Sequence, residues 1–214
     1  MRKLCLTTIL LVLLFSVSSF AVDAWGSMFG TLTTAQSLGQ GRGDLGGGVG
    51  IADATSFFGT FTYGLSEYFD GRLQAGMYDM GDGANTEFAF NADIKYQLWS
   101  LKETTAQRPF DMALGGFFQY LSGDGASVVE VAGYVLGSYP FTLKNGSMVS
   151  PYGRLNIRLE SISFDNPLFD SESNLEFGFN AGVAWRISPA TKIYGEFQID
   201  GNDGLLLGID FNVL

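Results

Sequence analysis

The 214-residue chain has no histidine, one cysteine and five prolines. Each scarcity removes a class of protein. Without histidine there is no Ser-His pair and no histidine-bearing zinc site, which excludes the commonest hydrolytic machineries. Cys5 lies within the N-terminal apolar run, so the rest of the chain forms no disulfide. Charged residues are only 16% of the chain, and 22 acids outnumber 12 bases. That balance supplies no basic patch to neutralise phosphates, which argues against nucleic acid as a partner. Beyond the N-terminus no apolar run approaches the roughly 20 residues of a spanning helix, and no long helical periodicity is present. The Gly-rich stretch 39–50 lacks the Gly-Lys-Ser/Thr of a phosphate loop, and no D-x-D-x-D-G cation loop occurs. No cofactor and no metal are therefore expected.

What is present starts with an export signal. Arg2 and Lys3 precede an apolar run from Leu4 to Leu14. Small-x-small cleavage sites follow at Ser19-Phe20-Ala21 or Val22-Asp23-Ala24. The run is too short to span as a helix, so residues 1–21 are read as a cleaved signal peptide. The remaining length suits one domain.

Residues 86–98, TEFAFNADIKYQL, carry the central pattern. Even positions are apolar or small (Phe88, Phe90, Ala92, Ile94, Tyr96, Leu98). Odd positions are polar except Ala89. A strand alternates its side chains between two faces, so this segment has one oily and one wet face. Nine further segments repeat it, over 45–51, 57–65, 73–77, 110–120, 129–139, 149–159, 175–187, 193–199 and 205–213. The ten segments offer 52 positions in the oily phase, none of them charged, amide, Ser or Thr. The overall charge content would place about eight charges there by chance. The opposite face carries acids Glu87, Asp93, Asp111, Glu130, Glu160, Glu176, Glu196 and Asp210. It also carries bases Arg72, Lys95, Arg154, Arg158 and Arg186, with Gly, Ala, Asn, Gln and Tyr between. Turn signals such as Lys144-Asn145-Gly146 and Gly201-Asn202-Asp203-Gly204 separate the segments.

This pattern predicts a closed antiparallel transmembrane β-barrel of about ten strands, over residues 43–214, with twelve or eight as alternatives. So many large apolar residues would overfill the interior of a small soluble barrel. A soluble exterior would be rich in Lys and Glu, which the polar face is not. Aromatics gather toward strand ends, as at membrane interfaces. Residues 22–42 are small and polar, and are read as an N-terminal segment that is periplasmic or lumen-lining, or that adds a strand pair.

In this pattern the chain resembles bacterial outer-membrane β-barrel proteins of the small, porin-like kind. The final stretch, Gly208-Ile209-Asp210-Phe211-Asn212-Val213-Leu214, resembles their C-terminal assembly signal, although it ends on Leu214 rather than an aromatic. The resemblance implies an outer-membrane location, lipid as the surroundings and the barrel-assembly machinery as a partner. It also implies both termini in the periplasm. The odd-to-even connections would then face outward; each contains Asp and none a base. The bases Arg72, Lys102, Arg108, Lys144 and Lys192 would lie in the inner connections. The expected function is a narrow polar pore for passive passage of small solutes or ions. A non-conducting structural or adhesive barrel with a salt-bridged, filled lumen is the alternative. The polar face sums to −3, five bases against eight acids, which gives a weak cation preference. Its charges are read as structural ion pairs rather than as catalytic groups, so no enzyme is expected.

Overall fold

The computed structural model describes residues 25–81, 85–101, 109–123, 125–166 and 170–214. The expected signal peptide, and Lys102 and Arg108, lie outside the described residues. The strands are β1 (Gly43–Ile51), β2 (Thr55–Gly64), β3 (Phe69–Asp79), β4 (Glu87–Trp99), β5 (Asp111–Gly123) and β6 (Ala126–Ser138). They continue as β7 (Phe141–Thr142), β8 (Met148–Phe164), β9 (Glu172–Ser188), β10 (Thr191–Ile199) and β11 (Gly204–Asn212). Strand β7 is a two-residue extension that pairs with Met148 and Val149. The ten long strands each pair antiparallel with the next, β6 passing directly to β8. The ring closes where β1 meets β11, from Asp44 opposite Asn212 to Ile51 opposite Leu205. Closure satisfies every strand edge, the condition for a sheet to sit in hydrocarbon.

The ten long strands coincide with the ten alternating segments, because one phase is apolar without interruption. None of the 52 oily-phase positions is buried. Leu155 and Phe177 are 64% and 67% exposed. A continuous apolar belt of this extent is unstable against water and matches a bilayer's hydrocarbon.

Three local expectations are corrected. The 161–173 connection is shorter, because β8 runs on through Phe164 and β9 begins at Glu172; their extensions pair Ser161 with Ser173. Arg72 and Lys192 are strand residues of β3 and β10, not connection residues, since alternation runs further toward the strand ends. The interior is also more apolar than its amides and charges suggest. Phe58, Phe117, Leu121, Val128, Leu136, Ile162 and Leu206 all lie in the inward phase and are buried.

Residues 25–42 contain no strand. Instead of enlarging the barrel to twelve strands, they run through its lumen as an irregular strap. Met28 and Phe29 are fully buried there, and Phe29 packs on Phe58 of β2 with ring centroids 4.7 Å apart.

The belt reading has a direct test. Leu155 lies near the middle of β8, facing outward. In a water-facing position Leu155→Arg would be nearly neutral. Facing the bilayer midplane it should cost about 2–4 kcal/mol, measured by reversible denaturant unfolding in lipid vesicles.

Candidate functional site

The site is the lumen and the strap within it. An irregular segment cannot pair its own backbone groups, and much of this one, including Met28, Phe29, Thr31, Leu32 and Ala35, is buried away from water. The barrel wall supplies the partners instead. At the far end, where the β1–β2 and β10–β11 connections lie, Glu160 accepts from the Trp25 amide at 3.0 Å. Gln119 of β5 holds both faces of the chain. Its amide donates to the Gly26 carbonyl and its oxygen accepts from the Met28 amide, each at 3.0 Å. Gln198 donates to the Ser27 carbonyl at 2.7 Å, and Ser56 to the Met28 carbonyl at 2.9 Å.

Mid-lumen, Glu196 of β10 accepts the consecutive amides of Thr31 and Leu32 at 2.7 and 2.8 Å. Arg72 donates to the carbonyl of Thr31. Such charge-assisted bonds to backbone are stronger than neutral ones. The close approach needs Gly30. Its φ is +61°, and a Cβ there would stand 2.5 Å from the Glu196 carboxylate. Toward the near end, where Gly43 and Leu214 meet, Lys95 donates to the carbonyls of Thr34 and Gln36, both at 2.8 Å. Asp70 accepts from the Ser37 hydroxyl at 2.7 Å, and Gln97 from the Ser37 amide at 2.6 Å.

Of the thirteen charged residues expected on the inner face, ten are buried: Arg72, Asp93, Lys95, Asp111, Glu130, Arg154, Arg158, Glu160, Glu196 and Asp210. Glu87, Glu176 and Arg186, closer to the strand ends, are half-buried. Ion pairing accounts for only part of the set. Arg72 pairs with Asp93 at 3.3 Å and Lys95 with Asp70 at 3.2 Å. Arg158 lies between Glu130 at 3.8 Å and Asp200 at 3.9 Å. The guanidinium of Arg154 instead sits over the rings of Phe117 and Tyr134, at 5.3 and 5.6 Å, and bonds Asn180 at 3.0 Å. Glu196 has no base within ion-pair distance among the described residues. It is held by the strap amides, the Tyr152 hydroxyl at 2.7 Å and Asn180 at 2.9 Å.

Sequence reading missed Asp44, Asp70, Asp200, Lys192 and the amides Gln119 and Gln198. Asp44, Asp70 and Lys192 share the inward phase of β1, β3 and β10, so following the alternation to the strand ends finds them. The three acids and one base move the formal interior sum from −3 to −5. Asp200 follows β10 in the turn at the far end, and burial raises its carboxyl to about 6 against the opposing pull of Arg158 and Arg154.

At the near end the strap leans toward β3 and β4, leaving a cavity of about 280 Å³ on the opposite side. Arg42, Asp44, Arg186, Lys192, Asp210 and Asn212 line it. Lys192 is paired with Asp44 at 2.5 Å. Among the described residues no group of three or more Asp, Glu, His or Cys is placed to hold a metal ion.

No family model matches this sequence, and no curated protein matches it. Solved structures do. The N-terminal β-barrel domain of Pseudomonas aeruginosa OprF is 13% identical, over 82% of this chain and 99% of that one, with a TM-score of 0.38. The KdgM porin is 9% identical, over 80% and 99%, with a TM-score of 0.40. An outer membrane channel from Pseudomonas putida F1 is 12% identical, over 84% and 98%, with a TM-score of 0.38.

Two outcomes follow from the geometry. Gly30→Ala should loosen the strap by about 1–3 kcal/mol, through the strained φ and the clash with Glu196. Chymotrypsin should then cut at Phe29 in the folded barrel, where the parent chain resists. A carboxyl raised in the folded state contributes stability that is complete below its unfolded value, near 3.8, and is lost as pH rises through about 6. The melting temperature of the parent should therefore fall more between pH 4 and pH 7 than that of Asp200→Asn, read by heat-dependent gel mobility.

Proposed function

We propose that the chain is a bacterial outer-membrane β-barrel acting as a narrow polar pore for passive passage of small solutes or ions. In the conformation described here the strap occupies that passage. One observation carries the reading: the lumen wall grips a non-strand segment chiefly by side-chain hydrogen bonds to its backbone. Removing residues 26–38 leaves the ring of strands intact, because no strand pairs with them; backbone pairing to β2 involves only Gly41 and Arg42. The vacated path would be lined by Arg72, Asp93, Lys95, Gln119, Arg154 and Glu196. The open cavity at the near mouth is then the vestibule. An interior that is net negative favours cations weakly.

The proposal includes export across the inner membrane, lipid around the apolar belt, and insertion by the barrel-assembly machinery through the C-terminal strand. It assigns no catalytic step; the chain contains no histidine to act as base, and its inner carboxylates serve the strap and the arginines. A second reading is favoured by the full burial of Met28 and Phe29. A strap packed that well could be permanent, leaving a non-conducting structural barrel.

Planar-bilayer recording separates the two. The complete barrel should show rare or small conductance steps, and a variant lacking residues 26–38 larger and persistent ones with weak cation selectivity. Silence from both proteins, each shown to be folded by heat-modifiable gel mobility, would overturn the pore and leave the structural barrel.

A further inference from the structure

We infer that the exported chain is cleaved between Ala24 and Trp25, and that the α-ammonium so formed pairs with Glu160 inside the barrel. The inference rests on the export reading above. The chemistry is a peptide-bond hydrolysis by a signal peptidase. Water adds across the Ala24–Trp25 bond. Ala24 leaves with the new carboxylate. Trp25 keeps the nitrogen as an amine, which is protonated at neutral pH because an α-amino group titrates near 8.

Two cleavage sites satisfy the small-x-small rule, one after Ala21 and one after Ala24, and sequence alone does not choose between them. The lumen does. The Trp25 nitrogen lies 3.0 Å from Oε2 of Glu160, a carboxylate only 1% exposed. The other oxygen, Oε1, has no N–H donor among the described residues, and the residue directly opposite is another acid, Glu130. No lysine or arginine stands within 4 Å of Glu160 there either.

The neighbourhood deepens the deficit. Glu130 faces Glu160 directly across the β6–β8 ladder, and Asp200 is buried close by. Arg158 lies 3.8 Å from Glu130 and 3.9 Å from Asp200. Arg158 thus serves two of these three buried carboxylates, and Glu160 is left without a base. A buried charge without a counter-charge is strongly unfavourable. An amide at Trp25 offers one N–H and no charge. An ammonium offers three N–H donors and a positive charge, enough to serve both oxygens of Glu160. Cleavage after Ala21 would do the reverse: it would leave Trp25 an amide and retain the acid Asp23 two positions before it in the sequence.

The anchor also fits the strap's path. Trp25 is its first described residue and sits at the far end of the lumen, so a terminal ion pair there would pin the strap opposite its covalent attachment to β1.

Intact mass and N-terminal sequencing of the protein extracted from outer membranes test the cleavage. The expected mature chain begins at Trp25. A chain beginning at Val22, or at any other residue, overturns the inference while leaving export intact. A full-length chain found only inside the cell would sink the export reading itself. Pairing is tested by labelling the α-amine with an N-hydroxysuccinimide ester, followed by mass analysis of the N-terminal peptide. The amine of the folded barrel should react at least tenfold more slowly than in the unfolded chain, and Glu160→Gln should recover most of that rate. Equal labelling of folded and unfolded parent chain would overturn the pair. So would a Glu160→Gln variant that is folded and as protected as the parent.

Discussion

The constraint on which this structure depends is the pairing of backbone N–H and C=O groups where water is scarce. In hydrocarbon an unpaired peptide group costs several kcal/mol, so the chain closes its sheet, and β1 meets β11 with no edge left. The same constraint acts a second time inside. A strap without secondary structure must find partners for its buried amides and carbonyls, and many of them are on the barrel wall. Gln119, Glu196, Lys95 and Asp70 serve as the strap's substitute strand.

This gives the interior charges a different meaning from ion pairing alone. Glu196 holds two successive strap amides and two wall groups, an arrangement that satisfies a carboxylate without any base. Lys95 divides its donors between Asp70 and two strap carbonyls. Arg154 is held by aromatic faces and an amide. A lumen organised this way is specific for one backbone path, because charged groups tolerate little displacement of the dipoles they serve. Function and closure then meet in the same residues: those that would line an open pore are those that hold the strap.

Much of the wall was legible in the sequence because a strand's side-chain period is two and one face must be apolar throughout. Phe88 to Leu98 declared β4, and nine relatives declared the rest. Missed inner residues fall into two kinds. Asp44, Asp70 and Lys192 sit at strand ends and Asp200 in the turn after β10, where turn residues blur the alternation. Gln119 and Gln198 lie in plain phase, but an uncharged amide carries no mark of what it will bind. The inward Phe58 and Leu206 break the polar pattern for a reason outside their strands, namely the apolar side chains of the strap.

By itself the sequence determined where ten strands lie, the direction each side chain faces and the oily exterior, since these follow from local periodicity and the uniform demand of hydrocarbon. Only the tertiary structure decided where residues 25–42 go and what the inner charges do. That segment has no period of its own, and its partners on the barrel wall lie up to 175 residues away along the chain. Its path is therefore set by which unpaired groups the closed ring brings together, a property of the assembled barrel.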